Sequence, residues 1–159
     1  PAAPAAVASG TTAPAALGAT ATRAQGGVEI RTFAHKCLDV RGKSPYDGTH
    51  IIQYRCTGDY NQRFRIVPKP GGRAEIHTFA GKCLDVRRSS PDNGASIIQY
   101  DCTGGANQRF RLTPAQGGVE VHTFAHKCLD VRNHSAHDGA RIIQYHCNGS
   151  YNQRFEIRH

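Results

Sequence analysis

The chain has 159 residues, 38% of them hydrophobic, a formal charge of +8, six cysteines and no tryptophan. That length suits one domain with room for a tail. Its basic residues are dispersed rather than gathered into a run interleaved with aromatics, so nucleic acid is not an expected partner; an anionic glycan surface is a better match to the charge.

Residues 1–25 are rich in Pro, Ala and Thr and share no motif with the rest of the chain. They hold too little apolar material to order themselves and no run long enough to span a bilayer. A disordered tail or linker is expected there, with no membrane insertion. The absence of methionine and the start at Pro1 are read as a processed chain whose signal peptide is gone.

From Gly26 onward one unit is written three times, at about 26–69, 70–115 and 116–159. The copies open with Phe33-Ala-His-Lys-Cys-Leu-Asp-Val-Arg41, Phe79-Ala-Gly-Lys-Cys-Leu-Asp-Val-Arg87 and Phe124-Ala-His-Lys-Cys-Leu-Asp-Val-Arg132. Such regularity marks a single supersecondary unit used three times. In the first copy Val28–Phe33 alternates apolar and polar residues, as a half-buried strand does. Lys36–Val40 alternates too, with Leu38 and Val40 on one face and Cys37 and Asp39 on the other. Asp47-Gly48 signals a turn. Ile51–Tyr54 is β-rich, and Asn61–Ile66 puts Gln62, Phe64 and Ile66 on one side. Four short strands per copy make twelve, and no stretch has a helical period. One copy is too small to hold a core. The expected fold is therefore all-β, a pseudo-threefold barrel whose core draws on all three copies.

The first cysteines of the copies, Cys37, Cys83 and Cys128, lie 46 and 45 residues apart, and Cys56, Cys102 and Cys147 repeat that spacing. Six cysteines allow fifteen pairings; the threefold pattern makes Cys37–Cys56, Cys83–Cys102 and Cys128–Cys147 the simplest set. Each would close a 19-residue loop, a stabilisation of about 3 kcal/mol on the chain-entropy account. Disulfides belong to an oxidising compartment, so a secreted protein is expected. His122, His126 and Cys128 invite a metal reading. The matching positions Arg31 and His35, then His77 and Gly81, do not repeat it, and no Cys-x2-Cys pair exists. No metal and no other cofactor is expected. His35, His50, His126, His134, His137 and His146 are read as surface groups.

The segments Cys37-Leu-Asp-Val40, Tyr54-Arg-Cys56 and Asn61-Gln-Arg-Phe64, with their equivalents in the other copies, resemble the ricin-type β-trefoil lectin family over residues 26–159. The resemblance implies a β-trefoil and a closed Cys–Cys loop in each copy. The family's Gln-x-Trp core element is matched by Gln62-Arg-Phe64, Gln108-Arg-Phe110 and Gln153-Arg-Phe155, with phenylalanine in place of tryptophan throughout. It also implies sugar-binding roles. Asp39, Asp85 and Asp130 accept hydrogen bonds from sugar hydroxyls, and Tyr54, Tyr100 and Tyr145 stack on the sugar's apolar face. Asn61, Asn107 and Asn152 donate to a hydroxyl, while Gln62, Gln108 and Gln153 orient the aspartates.

These residue types suit a polyol. A carboxylate offers several lone pairs, an amide offers both a donor and an acceptor, and a tyrosine ring offers a flat apolar platform with a polar tip. Strand alternation places Asp39 beside Cys37 and Tyr54 beside Cys56, so a Cys37–Cys56 bridge would bring Asp39 and Tyr54 together, facing outward from the core. One departure stands out. The order Ile52-Gln53, with Ile98-Gln99 and Ile143-Gln144, inverts the family's usual polar–apolar pair. Strict alternation then points Gln53 inward, where an unpaired amide costs about 1–3 kcal/mol. A bulge or a backbone partner is expected. Tyr60 and Tyr151, with Ala106 in the middle copy, would either enlarge two of the pockets or decorate the surface.

The expected function is that of a secreted carbohydrate-binding lectin domain with up to three equivalent sugar pockets. The resemblance implies galactose-type or pentose-type sugars, and the charge admits acidic cell-surface glycans. No nucleophile–base–orienter set and no carboxylate pair set across one bond is visible, so no enzymatic activity is expected. The alternative is a targeting module, or an adaptor or inhibitor subunit, of a larger secreted hydrolase or toxin complex, acting through protein contacts.

Overall fold

The computed structural model describes residues 26–159; the tail or linker expected over 1–25 lies outside them. The first copy holds β1 (Glu29–Arg31), β2 (Cys37–Val40), β3 (Ile51–Tyr54) and β4 (Arg65–Lys69). The second holds β5 (Arg73–His77), β6 (Cys83–Val86), β7 (Ile97–Tyr100) and β8 (Arg111–Ala115). The third holds β9 (Gly118–His122), β10 (Cys128–Val131), β11 (Ile142–Tyr145) and β12 (Glu156–Arg158). Among the described residues the only helical pieces are six 3₁₀ turns of three residues each.

The twelve strands form three four-stranded antiparallel sheets, in the orders β12-β1-β2-β3, β4-β5-β6-β7 and β8-β9-β10-β11. Each sheet crosses a repeat boundary. The fourth strand of a copy leaves its own sheet and pairs with the first strand of the next: β4 with β5, β8 with β9, and β12 back onto β1. The pairing Glu29↔Arg158, Ile30↔Ile157, Arg31↔Glu156 closes the ring. This all-β, threefold arrangement is the one the repeats predict.

The core is assembled from all three copies. Ile30, Leu38, Val40, Ile51 and Phe64 are buried with their equivalents in one continuous cluster. Phe64, Phe110 and Phe155, the residues of the Gln-Arg-Phe elements, are 1%, 1% and 2% exposed. Phenylalanine therefore fills the aromatic layer with no indole N–H to satisfy.

The inverted Ile-Gln pair is solved by a backbone partner from another copy, with no bulge. Leu38↔Gln53 sits in regular register between β2 and β3. Gln53 is fully buried, and its Nε2 donates to the backbone carbonyls of Ser135 and His137 at 2.8 and 3.0 Å. Its backbone N–H donates to Ala140 O, and Gly139 N–H donates to its carbonyl, both at 2.8 Å. Gln99 clasps the loop at Ser44 and Tyr46, and Gln144 clasps the loop at Ser90 and Asp92, in the same way. Each copy's long β2–β3-type loop is thus bolted to the third strand of a neighbour. The Nε2 donors are satisfied this way, while Oε1 of Gln53, Gln99 and Gln144 is buried without a partner in the protein; removing the side chain would leave the clasped loop carbonyls stranded.

Candidate functional site

All three disulfides lie within the copies: Cys37–Cys56, Cys83–Cys102 and Cys128–Cys147, each with its partners 19 residues apart in sequence and 5.1 Å apart between Cα atoms. They tie the end of the third strand of each copy to the start of the second. Cys37 pairs opposite Tyr54, and Asp39 opposite Ile52. As the alternation predicts, Asp39 and Tyr54 come together. They line a cleft of about 520 Å³ with Arg41, Lys43, Asp59 and Asn61. A second cleft of about 450 Å³ brings Asp85, Tyr100 and Asn107 together with Arg87, Arg88 and Ser89.

The aspartates are not outward-facing surface groups. Asp39, Asp85 and Asp130 are 5%, 5% and 4% exposed, and every residue of β2, β6 and β10 is buried. The reason is the 3₁₀ turn Tyr60–Gln62 and its equivalents, which close over the second strand. Gln62 donates from Nε2 to Asp39 Oδ2 at 2.8 Å and to Arg55 O at 3.0 Å, and its Oε1 accepts Thr57 N–H at 2.8 Å. Gln108 and Gln153 hold Asp85 and Asp130 at 2.8 and 2.9 Å. The glutamines are fully buried and line neither cleft; they fix the aspartates from behind.

Asn61 Nδ2 donates to Val40 O at 3.1 Å, as Asn107 does to Val86 O and Asn152 to Val131 O. One amide hydrogen is therefore committed to the fold. Asn61 Oδ1 and Asn152 Oδ1 are buried without a partner in the protein. Tyr100 and Tyr145 are 43% and 42% exposed, while Tyr54 is half-buried with the Arg55 guanidinium 5.3 Å from its ring centre.

Burial pushes the Asp39 carboxyl above the ordinary aspartate value; Gln62, Asn61 and Lys43 pull it back in part, and Asp138 adds to the rise. Asp85 and Asp130 are raised for the same first reason, against Gln108 and Asn107 in one case and Gln153, His134 and Asn152 in the other. Taking a carboxylate out of water disfavours its charged form.

Each cleft is shared between copies. Gly139, from the third copy, lines the first cleft, and Gly48, from the first copy, lines the second. Asp138 Oδ1 accepts the Arg55 N–H at 2.9 Å, Asp47 Oδ1 accepts that of Asp101 at 2.9 Å, and Asn93 Oδ1 accepts that of His146 at 2.8 Å. Sequence reasoning took Asp47-Gly48 for a turn alone. The signal was present: an Asp-Gly or Asn-Gly pair stands at the same offset in every copy.

The remaining candidates sort simply. Tyr60 and Tyr151 line neither cleft; they stack edge-on against Phe79 and Phe33 of the following copy, with centroids 4.9 and 4.8 Å apart. His50 is half-buried rather than on the surface, and burial, with Arg141, Arg87 and Arg41 nearby, holds its imidazole below the ordinary value. The groups that could gather a metal, such as His122 with Cys128 and Cys147, each include both sulfurs of a disulfide, which are not thiolate ligands.

Three four-stranded sheets that each span a repeat boundary, a shared core and clefts repeated between copies define a disulfide-stapled β-trefoil. The sequence profile of the ricin-type beta-trefoil lectin domain matches residues 72–159, and that of a ricin-type beta-trefoil lectin domain-like family matches residues 18–80. The chain belongs to the ricin-type β-trefoil lectin family, a family of carbohydrate-binding domains. Among solved structures it is similar to ThreeFoil, a designed 3-fold symmetric protein, at 36% identity and a TM-score of 0.81 over 83% of this chain and 97% of that one. It is similar to 1,3Gal43A, an exo-beta-1,3-galactanase from Clostridium thermocellum, at 30% identity and a TM-score of 0.80 over 82% of this chain, but spans only 29% of that enzyme. The Rhizoctonia solani agglutinin shares the fold at 18% identity and a TM-score of 0.75, over 83% of this chain and 94% of that one. No curated protein sequence matches.

Proposed function

We propose that the clefts at Asp39 and Asp85, with the equivalent set Asp130, Tyr145 and Asn152, bind exposed sugar residues of a polysaccharide or cell-surface glycan outside the cell. The observation that carries this is the convergence, on one cleft, of a carboxylate held from behind, an exposed or half-exposed tyrosine and an asparagine tied to the strand below. That set offers acceptors for two or more hydroxyls and a ring for a C–H face. Galactose-type and pentose-type sugars are the proposed ligands, and the similarity to a galactanase supports the first. Three disulfides support an extracellular site of action.

Binding without transformation is the proposed mode. The first cleft does hold a second carboxylate, but Asp59 is taken by Lys43 at 3.1 Å, and the matching positions are Gly105 and Ser150. Each cleft offers few contacts in open solvent, so a single sugar should bind weakly, with Kd about millimolar. Several clefts on one rigid body raise the apparent affinity for a multivalent surface. The test is a glycan array with the D39N/D85N/D130N protein beside the parent. The variant should remain folded by circular dichroism and lose glycan binding. Unchanged binding to galactans and other glycans would remove these clefts as the sugar sites.

A further inference from the structure

The three junctions between copies share one plan but are filled differently. At two of them a tyrosine covers the partly buried phenylalanine of the next copy, Tyr60 over Phe79 and Tyr151 over Phe33. At the junction of the second and third copies the tyrosine's place is taken by Ala106. Among the described residues no ring lies against the matching phenylalanine, Phe124. A niche of about 110 Å³ at this junction is lined by Arg73, Arg109, Arg111, His122, Phe124 and His126; the corresponding niche between the third and first copies, about 230 Å³, has Tyr151 in its lining and Glu156 and Gly118 where this one has Arg111 and Arg73.

That junction has also gained positive charge. Arg73 stands where the other junctions have Gly27 and Gly118, and Arg111 stands where the third has Glu156. Among the described residues neither Arg73 nor Arg111 has a carboxylate within ion-pair distance. The nearby acids are already engaged. Glu75 is held by His77 at 2.9 Å and Lys69 at 3.6 Å, and Glu120 by His122 at 3.0 Å. Arg109 Nε lies 3.8 Å from Glu75, buried and without a hydrogen bond. Arg111 folds over the turn at Gly72, where an added Cβ would sit 3.2 Å from its Nη1.

We infer that this niche binds the anionic group, a carboxylate or a sulfate, of an acidic polysaccharide. Guanidinium forks match both groups in shape, and charge-assisted bonds to them are the strong kind. The niche has several times the room of about 10–15 Å³ that one water needs. It admits the charged substituent while the sugar ring rests on Phe124, whose face is apolar. The niche lies apart from the aspartate clefts and stands independently of their sugar-binding role.

The test is calorimetric titration of the intact protein with polygalacturonate, which carries carboxylates, with dextran sulfate, which carries sulfates, and with neutral dextran. Binding is expected for one or both acidic polymers, weakening with added salt, and not for neutral dextran; which polymer binds distinguishes carboxylate from sulfate. Two variants copy residues the protein already uses at sister junctions: R111E, as at Glu156, and A106Y, as at Tyr60 and Tyr151. R111E should weaken binding about tenfold or more, the loss expected for a charged hydrogen-bonded contact, and A106Y, which covers the Phe124 face, should weaken it about threefold. R65E makes the same charge change at the first junction and should leave binding within about twofold. Equal losses from R65E and R111E would show a net-charge effect and overturn the niche. So would acidic-polymer affinity untouched by both R111E and A106Y. Single-stranded DNA bound as tightly as the polysaccharides, and equally sensitive to R111E, would overturn the assignment to acidic polysaccharide.

Discussion

The clefts of the first and second copies have one floor and two rims. Beneath both, a buried glutamine grips an aspartate at 2.8 Å and an asparagine is tied to the strand below at 3.1 Å. Around the first, Gly42, Lys43 and Asp59 form the edge, and Lys43 lies 5.4 Å from the centre of the Tyr60 ring. Around the second stand Arg88 and Ser89, and Gly105 takes the sequence position of Asp59, so no acid is there. The floor is built from hydrogen bonds that the fold itself needs, so it cannot vary without loss of stability. The rim is built from exposed turn residues and is free to vary. Even so, its backbone is held in the left-handed region at Lys43, Arg88, Ser89, Asn133 and His134, with φ between 52° and 59°, a conformation that disfavours residues with a Cβ. Local strain kept in every copy, at the edge of a cleft, fits a demand for shape there.

The largest expected effect comes from breaking the floor. Gln62→Ala strands the Thr57 N–H and Arg55 C=O and strips a donor from buried Asp39, and Gln108→Ala does the same in the second copy. Each should cost about 3 kcal/mol or more in urea unfolding, with the two copies suffering alike. Markedly different losses would mean that the floors are not equivalent.

Next comes acid. Because burial raises all three aspartates, the folded protein takes up protons at these sites more readily than the unfolded chain does. The linked contribution to stability is greatest below the ordinary aspartate value and falls as pH rises through the window up to the raised value. The D39N/D85N/D130N variant should therefore be at least as stable as the parent at neutral pH and should lose that part of the pH dependence, as followed by thermal melts across pH 3 to 7, roughly the carboxylate range. Glycan binding by the parent should fade on acidification earlier than an ordinary aspartate would dictate, in both clefts together.

The smallest effect on stability belongs to the rim. K43S with D59G rebuilds part of the first edge to match Ser89 and Gly105. It removes an exposed ion pair and the exposed approach of Lys43 to the Tyr60 ring, so the melting temperature should barely move. The glycan-array profile should shift, since the edge groups facing a sugar have changed. An unaltered profile would place selectivity in the floor.

Much of this was readable from the chain because each copy restates the same message. Leu38 and Val40 announce the core face, the cysteine spacing announces the staples, and alternation with the Cys37–Cys56 bridge brings Asp39 to Tyr54. What failed to show was depth. Alternation says which face Asp39 occupies, but not that the turn carrying Asn61 and Gln62 folds back over it. The inverted Ile52-Gln53 pair signalled an inward amide, yet its partners lie 82 and 84 residues away, and no local pattern names them. Tyr60 and Tyr151 were ambiguous because their partners belong to the next copy.

The exchange of fourth strands has a consequence for how such a molecule can be made. A lone copy would have one strand to give away and one vacancy to fill, with its clasping loop and its glutamine likewise pointing to different neighbours. It could satisfy itself only in a closed ring of three, a head-to-tail trimer with rotational symmetry. The single chain is that trimer with its seams joined. Because β12 lies against β1, joining the two ends and opening the chain at the Gly71-Gly72 turn would preserve every strand pair in a circular permutant.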